Sequence, residues 1–172
     1  MDKLQLIRSK ILSLEDLKRR LLSWRLTGKR VVFTNGCFDL LHRGHIELLL
    51  KAAGFGQILV VGLNSDASVA LLKGPGRPLN AALDRALTLA SMEFVDAVTI
   101  FGEQDPALLI GAILPDVLVK GNDYRIDEIA GAETVLAHGG SVQLIPLVEG
   151  LSSTSILNRM AQPEGKSPGK AG

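Results

Sequence analysis

The chain has 172 residues, of which 47% are hydrophobic and 4% aromatic, and its formal net charge is +1. A chain of this length fits one domain and buries about 70% of its unfolded surface with no need of a disulfide or metal staple, and its core must be built from Leu, Val, Ile and Ala. A near-neutral charge supplies no field for nucleic acid or a membrane surface, so any phosphate must be held by a local site; the single cysteine, Cys37, allows no intrachain disulfide, which fits a reducing cytoplasm.

Residues 1–5 lack the apolar run and small-residue cleavage site of a signal peptide, and no apolar stretch of about 18 residues is present to span a membrane. Residues 1–28 read as a helical extension. Within it, 14–26 form an amphipathic helix with Leu14, Leu17, Leu21, Leu22 and Trp24 largely on one face, capped by Ser13 with Asp16 and stopped at Gly28. Such a helix packs on the domain or on a second copy of the chain in a homodimer.

Residues 29–160 alternate short apolar runs with helical segments. The runs lie at 30–35, 58–63, 97–101, 117–120 and 142–146, and they are continuous rather than alternating, as in strands buried on both faces of a parallel sheet. Helices are predicted at 44–53, 65–72, 81–92, 106–114, 126–138 and 153–160. This order predicts an α/β fold: an open, five-stranded, Rossmann-like parallel sheet with helices on both faces. The tail, 161–172, has no apolar anchor and is expected to be disordered.

Ligands of an open parallel sheet bind beyond the carboxyl ends of its strands. The loop after the first strand reads Thr34-Asn35-Gly36-Cys37-Phe38-Asp39-Leu40-Leu41-His42-Arg43-Gly44-His45 and opens a helix. Gly36 permits a tight turn and Gly44 the close approach of a ligand to the helix start, where free amides favour anions. His42 and His45, three residues apart, can both face one phosphate and stabilise charge building on it. Two surface histidines or a metal site are the other readings, but only two possible nitrogen ligands lie here, with no third. After the second strand, Asn64 and Asp66 either line a pocket or, for Asp66, cap a helix. Lys73 and Arg77 lie on a Gly/Pro-rich loop, which is a solvated turn or a cationic loop for a polyphosphate. Arg85 either pairs with Asp84 or Asp66 or reaches a phosphate. Lys120, Gly121 and Asp123 end the fourth strand, and Ser152, Ser153 and Thr154 open the last helix, either as a cap or as a phosphate site. Cys37 has no base beside it in sequence and reads as a small loop residue.

The run from Thr34 to His45 resembles the signature of the cytidylyltransferase-like nucleotidyltransferases. With 62–68, 73–80, 118–124 and 149–156, the match is similar to the D-glycero-β-D-manno-heptose 1-phosphate adenylyltransferases that make ADP-heptose, and it extends from about residue 14 to 159. Asn122 stands where relatives carry a second Gly, and Ser153 replaces the first Thr of a Ser-Thr-Thr run.

The resemblance implies that a sugar 1-phosphate attacks the α-phosphorus of ATP in line and pyrophosphate leaves. His42, His45 and Lys73 would be catalytic. Thr34, Asn35, Gly36, Phe38, Asp39, Gly44, Lys120, Gly121, Asp123, Ser152, Ser153 and Thr154 would hold the nucleotide, and Asn64, Asp66, Arg77 and Arg85 the acceptor. Mg²⁺ would be bound mainly through the triphosphate, with no dedicated protein ligands. A separate protein would supply the phosphorylated sugar, since the chain has no room for a kinase domain, and ADP-heptose would feed lipopolysaccharide or other surface-glycan synthesis.

Three other readings are weighed. A cytidylyltransferase acting on glycerol phosphate or ethanolamine phosphate usually has Arg-Thr where Leu147 and Val148 stand. A catalytically silent nucleotide-binding module would be free to lose the histidines, Lys73 and the last-helix hydroxyls. A class I aminoacyl-tRNA synthetase fragment would need a longer chain and a Lys-Met-Ser-Lys-Ser loop.

Overall fold

The computed structural model describes residues 2–122, 125–146 and 153–161. Five strands, β1 (Val31–Gly36), β2 (Ile58–Asn64), β3 (Ala97–Phe101), β4 (Val117–Gly121) and β5 (Ser141–Ile145), form one parallel sheet in the order β3-β2-β1-β4-β5. The chain winds outward from β1 to β3, then crosses back to place β4 on the other side of β1. Strand order therefore reverses between β1 and β4, the switch point at which such sheets leave a crevice.

The continuous apolar runs have the expected cause. Along β1, Val31 and Phe33 point into one core and Val32 into the other, and every one of them is fully buried. Strands β2 and β4 split the same way: Val60 and Leu118 go to the first core, and Val61 and Val119 to the second. One face is covered by α2 (Leu14–Leu26), α6 (Ala107–Ile113) and α7 (Ala132–Ala137), through Leu17, Leu21, Ile110, Ile113 and Val135. The other is covered by α3 (Arg43–Ala53) and α5 (Ala82–Ala90), through Leu49, Ala52, Ala86 and Leu89. α4 (Asp66–Lys73) follows β2, and α8 (Ser153–Ala161) ends the described chain. No helix of the described residues is long and apolar enough to cross a membrane.

The N-terminal segment wraps the β3 edge. A short helix that the sequence pattern does not reveal, α1 (Lys3–Arg8), lies against α5, and Ile7 packs on the second core. Val98 N–H then donates to Lys10 O and Leu12 N–H to Val98 O, both at 2.8 Å, adding one parallel bridge to the exposed edge. The chain emerges on the opposite face as α2. Its Ser13 cap accepts from Asp16 N–H at 3.1 Å, and its apolar stripe is buried against the first core.

The predicted helix at 126–138 is broken. Residues Ile126–Glu128 form a 3-10 turn, and Gly131 (φ +79°) starts α7. A Cβ at Gly131 would lie 2.8 Å from Ile110, so the close approach of α7 to α6 also requires glycine. The tail predicted to be disordered lies outside the described residues beyond Ala161.

Because Leu21 is 1% exposed within the first core, Leu21→Ala is expected to lower stability by about 2–5 kcal/mol. Urea unfolding followed by far-ultraviolet circular dichroism should still give one transition, at lower denaturant. An unchanged midpoint would mean that α2 does not belong to the cooperative unit.

Candidate active site

The carboxyl ends of the strands open onto a cavity of about 600 Å³, within the common range of about 300–1,000 Å³ for ligand pockets. Thr34, Asn35 and Gly36 supply its floor from β1, and Lys120 and Gly121 from β4. Lys120 Nζ donates to Asn35 Oδ1 across the switch point, fixing the ammonium between the two strand ends.

The loop after β1 is held in a costly shape. Phe38 has φ +45°, a backbone region that a bulky side chain rarely adopts, and such residues cost on the order of 1–3 kcal/mol unless their surroundings over-determine them. Here they do. Asp39, on the next residue, accepts from Arg77 Nε at 2.6 Å, Leu79 N–H at 2.8 Å and Asn80 N–H at 3.0 Å, while Asn80 Nδ2 donates to Asp39 O. Burial raises the carboxyl's pKa, but the Asn80 and Leu79 amides and the Arg77 guanidinium outweigh it, so Asp39 titrates below the usual carboxylate range. On the preceding residue, Cys37 O accepts from Arg85 Nη1.

Arg85 is 2% exposed and satisfied on three sides. Besides Cys37 O, it donates to Asn80 O at 2.9 Å and to Asp66 Oδ1 at 2.7 Å. Arg85 and Asp66, expected among the acceptor ligands, do not line the cavity; of the two partners weighed for Arg85, Asp66 is the one it meets. The reason is geometric: α5 starts behind the β1 loop, and the guanidinium fills the space between that loop, residue 80 and the start of α4. Arg77 does line the cavity, but its Nε is committed to Asp39.

α3 starts with His42 as its N-cap residue in extended backbone, without a side-chain cap bond. Its ring stacks on His45, with centroids 3.8 Å apart and planes at 26°, and Phe38 flanks His45 at 5.3 Å. The two imidazoles therefore lie in series. His45 lines the cavity, whereas His42 backs it from outside the lining, so one of the two rings faces the cavity and not both. Nδ1 of each ring is buried with no hydrogen-bond partner among the described residues. Burial, then the neighbouring His42 and Lys73, pulls the pKa of His45 down to about 4; burial also lowers that of His42. His45 is thus a neutral imidazole at physiological pH, on the wall of the cavity.

Ser153 opens α8 and lines the same cavity, with its Oγ donating to Leu40 O at 3.1 Å. Thr154 is exposed and outside the lining, because one residue along a helix turns the side chain by about 100°. Gly44, in the first turn of α3, is also outside the lining. Ser152 and Asp123 lie outside the described residues. Lys73, the last residue of α4, and Asn64, at the end of β2, both line the cavity. Gly74 and Gly76 carry the loop onward at φ +92° and +79°.

The family model described as cytidylyltransferase-like matches residues 33–159. The chain belongs to the cytidylyltransferase-like family. It is 49% identical over 152 residues to the bifunctional protein HldE of Methylobacillus flagellatus, an alignment covering 88% of this chain and 31% of that one. It is 54% identical over 137 residues to HldE of Paramagnetospirillum magneticum, covering 80% and 28%. The chain thus spans about a third of the length of these relatives. Among solved structures, the lipopolysaccharide core biosynthesis protein of Thermoplasma volcanium superposes with a TM-score of 0.57 at 26% identity, over 70% of this chain and 98% of that one. Pantothenate synthetase of Thermus thermophilus shares the fold, with a TM-score of 0.59 at 20% identity over 85% of this chain and 66% of that one.

Sequence reasoning in this cytidylyltransferase-like chain missed two stretches of the cavity lining. Gln104, Asp105 and Pro106 follow β3, and Glu128, the last residue of the 3-10 turn, is followed by Ile129 and Ala130. The signal was available in principle, since Gly102 directly follows β3 and the first group comes just after it, but no cation marks it.

In the ligand-free protein, long-range ¹H–¹⁵N spectra should show His45 neutral from about pH 5 to 8, with a titration midpoint at about 4. The unfolded ring, with its ordinary pKa of about 6.5, takes up its proton first as pH falls. Stability present above that value therefore declines toward the folded midpoint, and His45→Gln should remove this part of the decline. A midpoint at the ordinary value or above would contradict the buried, neutral ring.

Proposed function

We propose that this protein is an adenylyltransferase that transfers AMP from ATP to D-glycero-β-D-manno-heptose 1-phosphate, giving ADP-heptose and pyrophosphate. The observation that carries the reading is that His45 and Ser153 line one cavity at the β1/β4 switch point, together with Lys73, Arg77 and Lys120. A triphosphate needs this combination: donors at two helix starts and several cations around a crowded anion. The choice of ATP and of a heptose rests on the motif resemblance and on the identity to the HldE proteins over this segment.

In this reading the nucleotide lies over β1 and β4, on Gly36, Gly121 and Lys120, with its outer phosphates toward Ser153. The acceptor phosphate is already ionised at neutral pH, so attack on the α-phosphorus requires no general base, and catalysis is alignment plus charge stabilisation. His45 donates to an α-phosphate oxygen. The incoming polyanion raises the proton affinity of a ring that starts neutral, which strengthens that contact as charge builds. His42 supports the His45 ring from behind. Lys73, Arg77 and the start of α8 neutralise the leaving pyrophosphate.

No group of three or more His, Cys, Asp or Glu suited to a metal occurs among the described residues, and Asp39 is committed to Arg77 and two amides. Mg²⁺ would arrive with the triphosphate and screen it, as this ion usually does. A kinase activity elsewhere would supply the sugar 1-phosphate, the protein would work in the cytoplasm, and its product would serve surface-glycan assembly.

Pyrophosphate release measured with ATP and with CTP against heptose 1-phosphate, glycerol phosphate and ethanolamine phosphate tests the assignment. ATP with the heptose is expected to be the productive pair. His45→Ala should lower kcat by about 10²- to 10³-fold with a much smaller change in ATP affinity. Turnover with CTP and glycerol phosphate instead, or a fully active His45→Ala protein, would overturn the reading.

A further inference from the structure

The lining of the cavity is of two chemical kinds. Its cations are Lys73 at the end of α4, whose charge acts on His45, Arg77 on the loop that follows, paired with Asp39, and Lys120 at the end of β4, bonded to Asn35. At the end of β2 and beyond the end of β3 the lining is Asn64, Gln104, Asp105 and Pro106, and the loop between β3 and α6 contributes no Lys or Arg to it.

This second part of the lining is anchored by hydrogen bonds. Asn64, 3% exposed, donates through Nδ2 to Ser68 Oγ at 2.9 Å, and Ser68, fully buried, donates in turn to Glu103 O at 3.1 Å. Asp105 Oδ1 accepts from Ala107 N–H at 2.7 Å. The chain is therefore fixed on both sides of Gln104, whose side-chain amide makes no hydrogen bond to the described residues. An exposed amide with both a donor and an acceptor, a carboxylate with one oxygen already engaged, and a buried amide behind them suit hydroxyl groups, not phosphate.

A sugar 1-phosphate has the matching polarity: an anion at one end and hydroxyls along the rest. We propose that Asn64, Gln104 and Asp105 form the subsite that receives the acceptor's hydroxyls, and that Asp105 disfavours an acceptor bearing a second phosphate at that end. The assignment rests on the adenylyltransferase reading, and it sets the acceptor's direction, with its phosphate toward His45 and its distal carbons toward the β3 loop. Sites built to hydrogen-bond hydroxyls discriminate through groups left unpaired by the wrong ligand, and a fixed carboxylate adds charge repulsion against a bisphosphate.

Steady-state kinetics of the full chain with Gln104→Ala and Asp105→Asn test this. Gln104→Ala should raise KM for heptose 1-phosphate about tenfold, as for one lost hydrogen bond, while KM for ATP stays within about twofold. Asp105→Asn keeps the oxygen that caps α6 and removes only charge, so it should narrow the preference for the 1-phosphate over the 1,7-bisphosphate about tenfold. An unchanged sugar KM in Gln104→Ala, an equal rise in the ATP KM, or an unaltered preference in Asp105→Asn would overturn the subsite while leaving the enzyme reading intact. A wild-type protein that releases no pyrophosphate with any sugar 1-phosphate would overturn the enzyme reading, and the subsite with it.

Discussion

Two buried charges hold the loop on which the site depends. Arg85 binds Cys37 O from one side, and Asp39 gathers Arg77 and two backbone amides from the other. Between them sits Phe38 in its left-handed conformation. Buried ion pairs are weak evidence for stability in themselves, since desolvation offsets much of their attraction. Their effect here is to select one loop conformation. Each pair also ties separate elements together: Arg85 joins the β1 loop to the start of α4, and Asp39 joins it to residues 77–80. Removing Arg77 would leave the buried Asp39 carboxylate without its guanidinium.

That frame explains why the site residues have their properties. His45 is pressed between Phe38 and His42, so its ring is desolvated and neutral. Cys37 lines the cavity beside it, yet burial raises its thiol's pKa, and the opposing pull of Lys73 and the two arginines does not reverse this. A thiol shifted upward is a poor nucleophile, in keeping with the absence of a paired base in the sequence. The polar work of the cavity falls to preformed donors, which need little reorganisation when charge develops.

Much of this was legible in the sequence, for identifiable reasons. Strands β1 to β5 announced themselves because both faces of the sheet are covered, leaving unbroken runs such as Val31-Val32-Phe33. The histidine motif was visible because glycines and a helix start frame it. The pattern could not show which of Arg85's possible partners would win, because Asp66 and Asp84 differ only in where α4 and α5 are packed. Nor could it separate His42 from His45, since their spacing is compatible with side-by-side or stacked rings. The β3 loop escaped notice because Gln104 and Asp105 look like ordinary surface residues until Ser68 is seen to anchor them. Helix α1 escaped because it is short and has no buried residue. Gly131 breaks the helical pattern at 126–138 through contact with Ile110, a residue distant in the chain.

The central claim is that one nucleotide spans the start of α3 and the start of α8 over the switch point. Hydrogen–deuterium exchange with and without a non-hydrolysable ATP analogue and Mg²⁺ tests it most directly. The account predicts simultaneous protection of three separated segments: residues 34–46 through α3's first turn, 118–121 at the end of β4, and 153–157 in α8. Protection confined to one of these, with the other two exchanging as in the free protein, would contradict it.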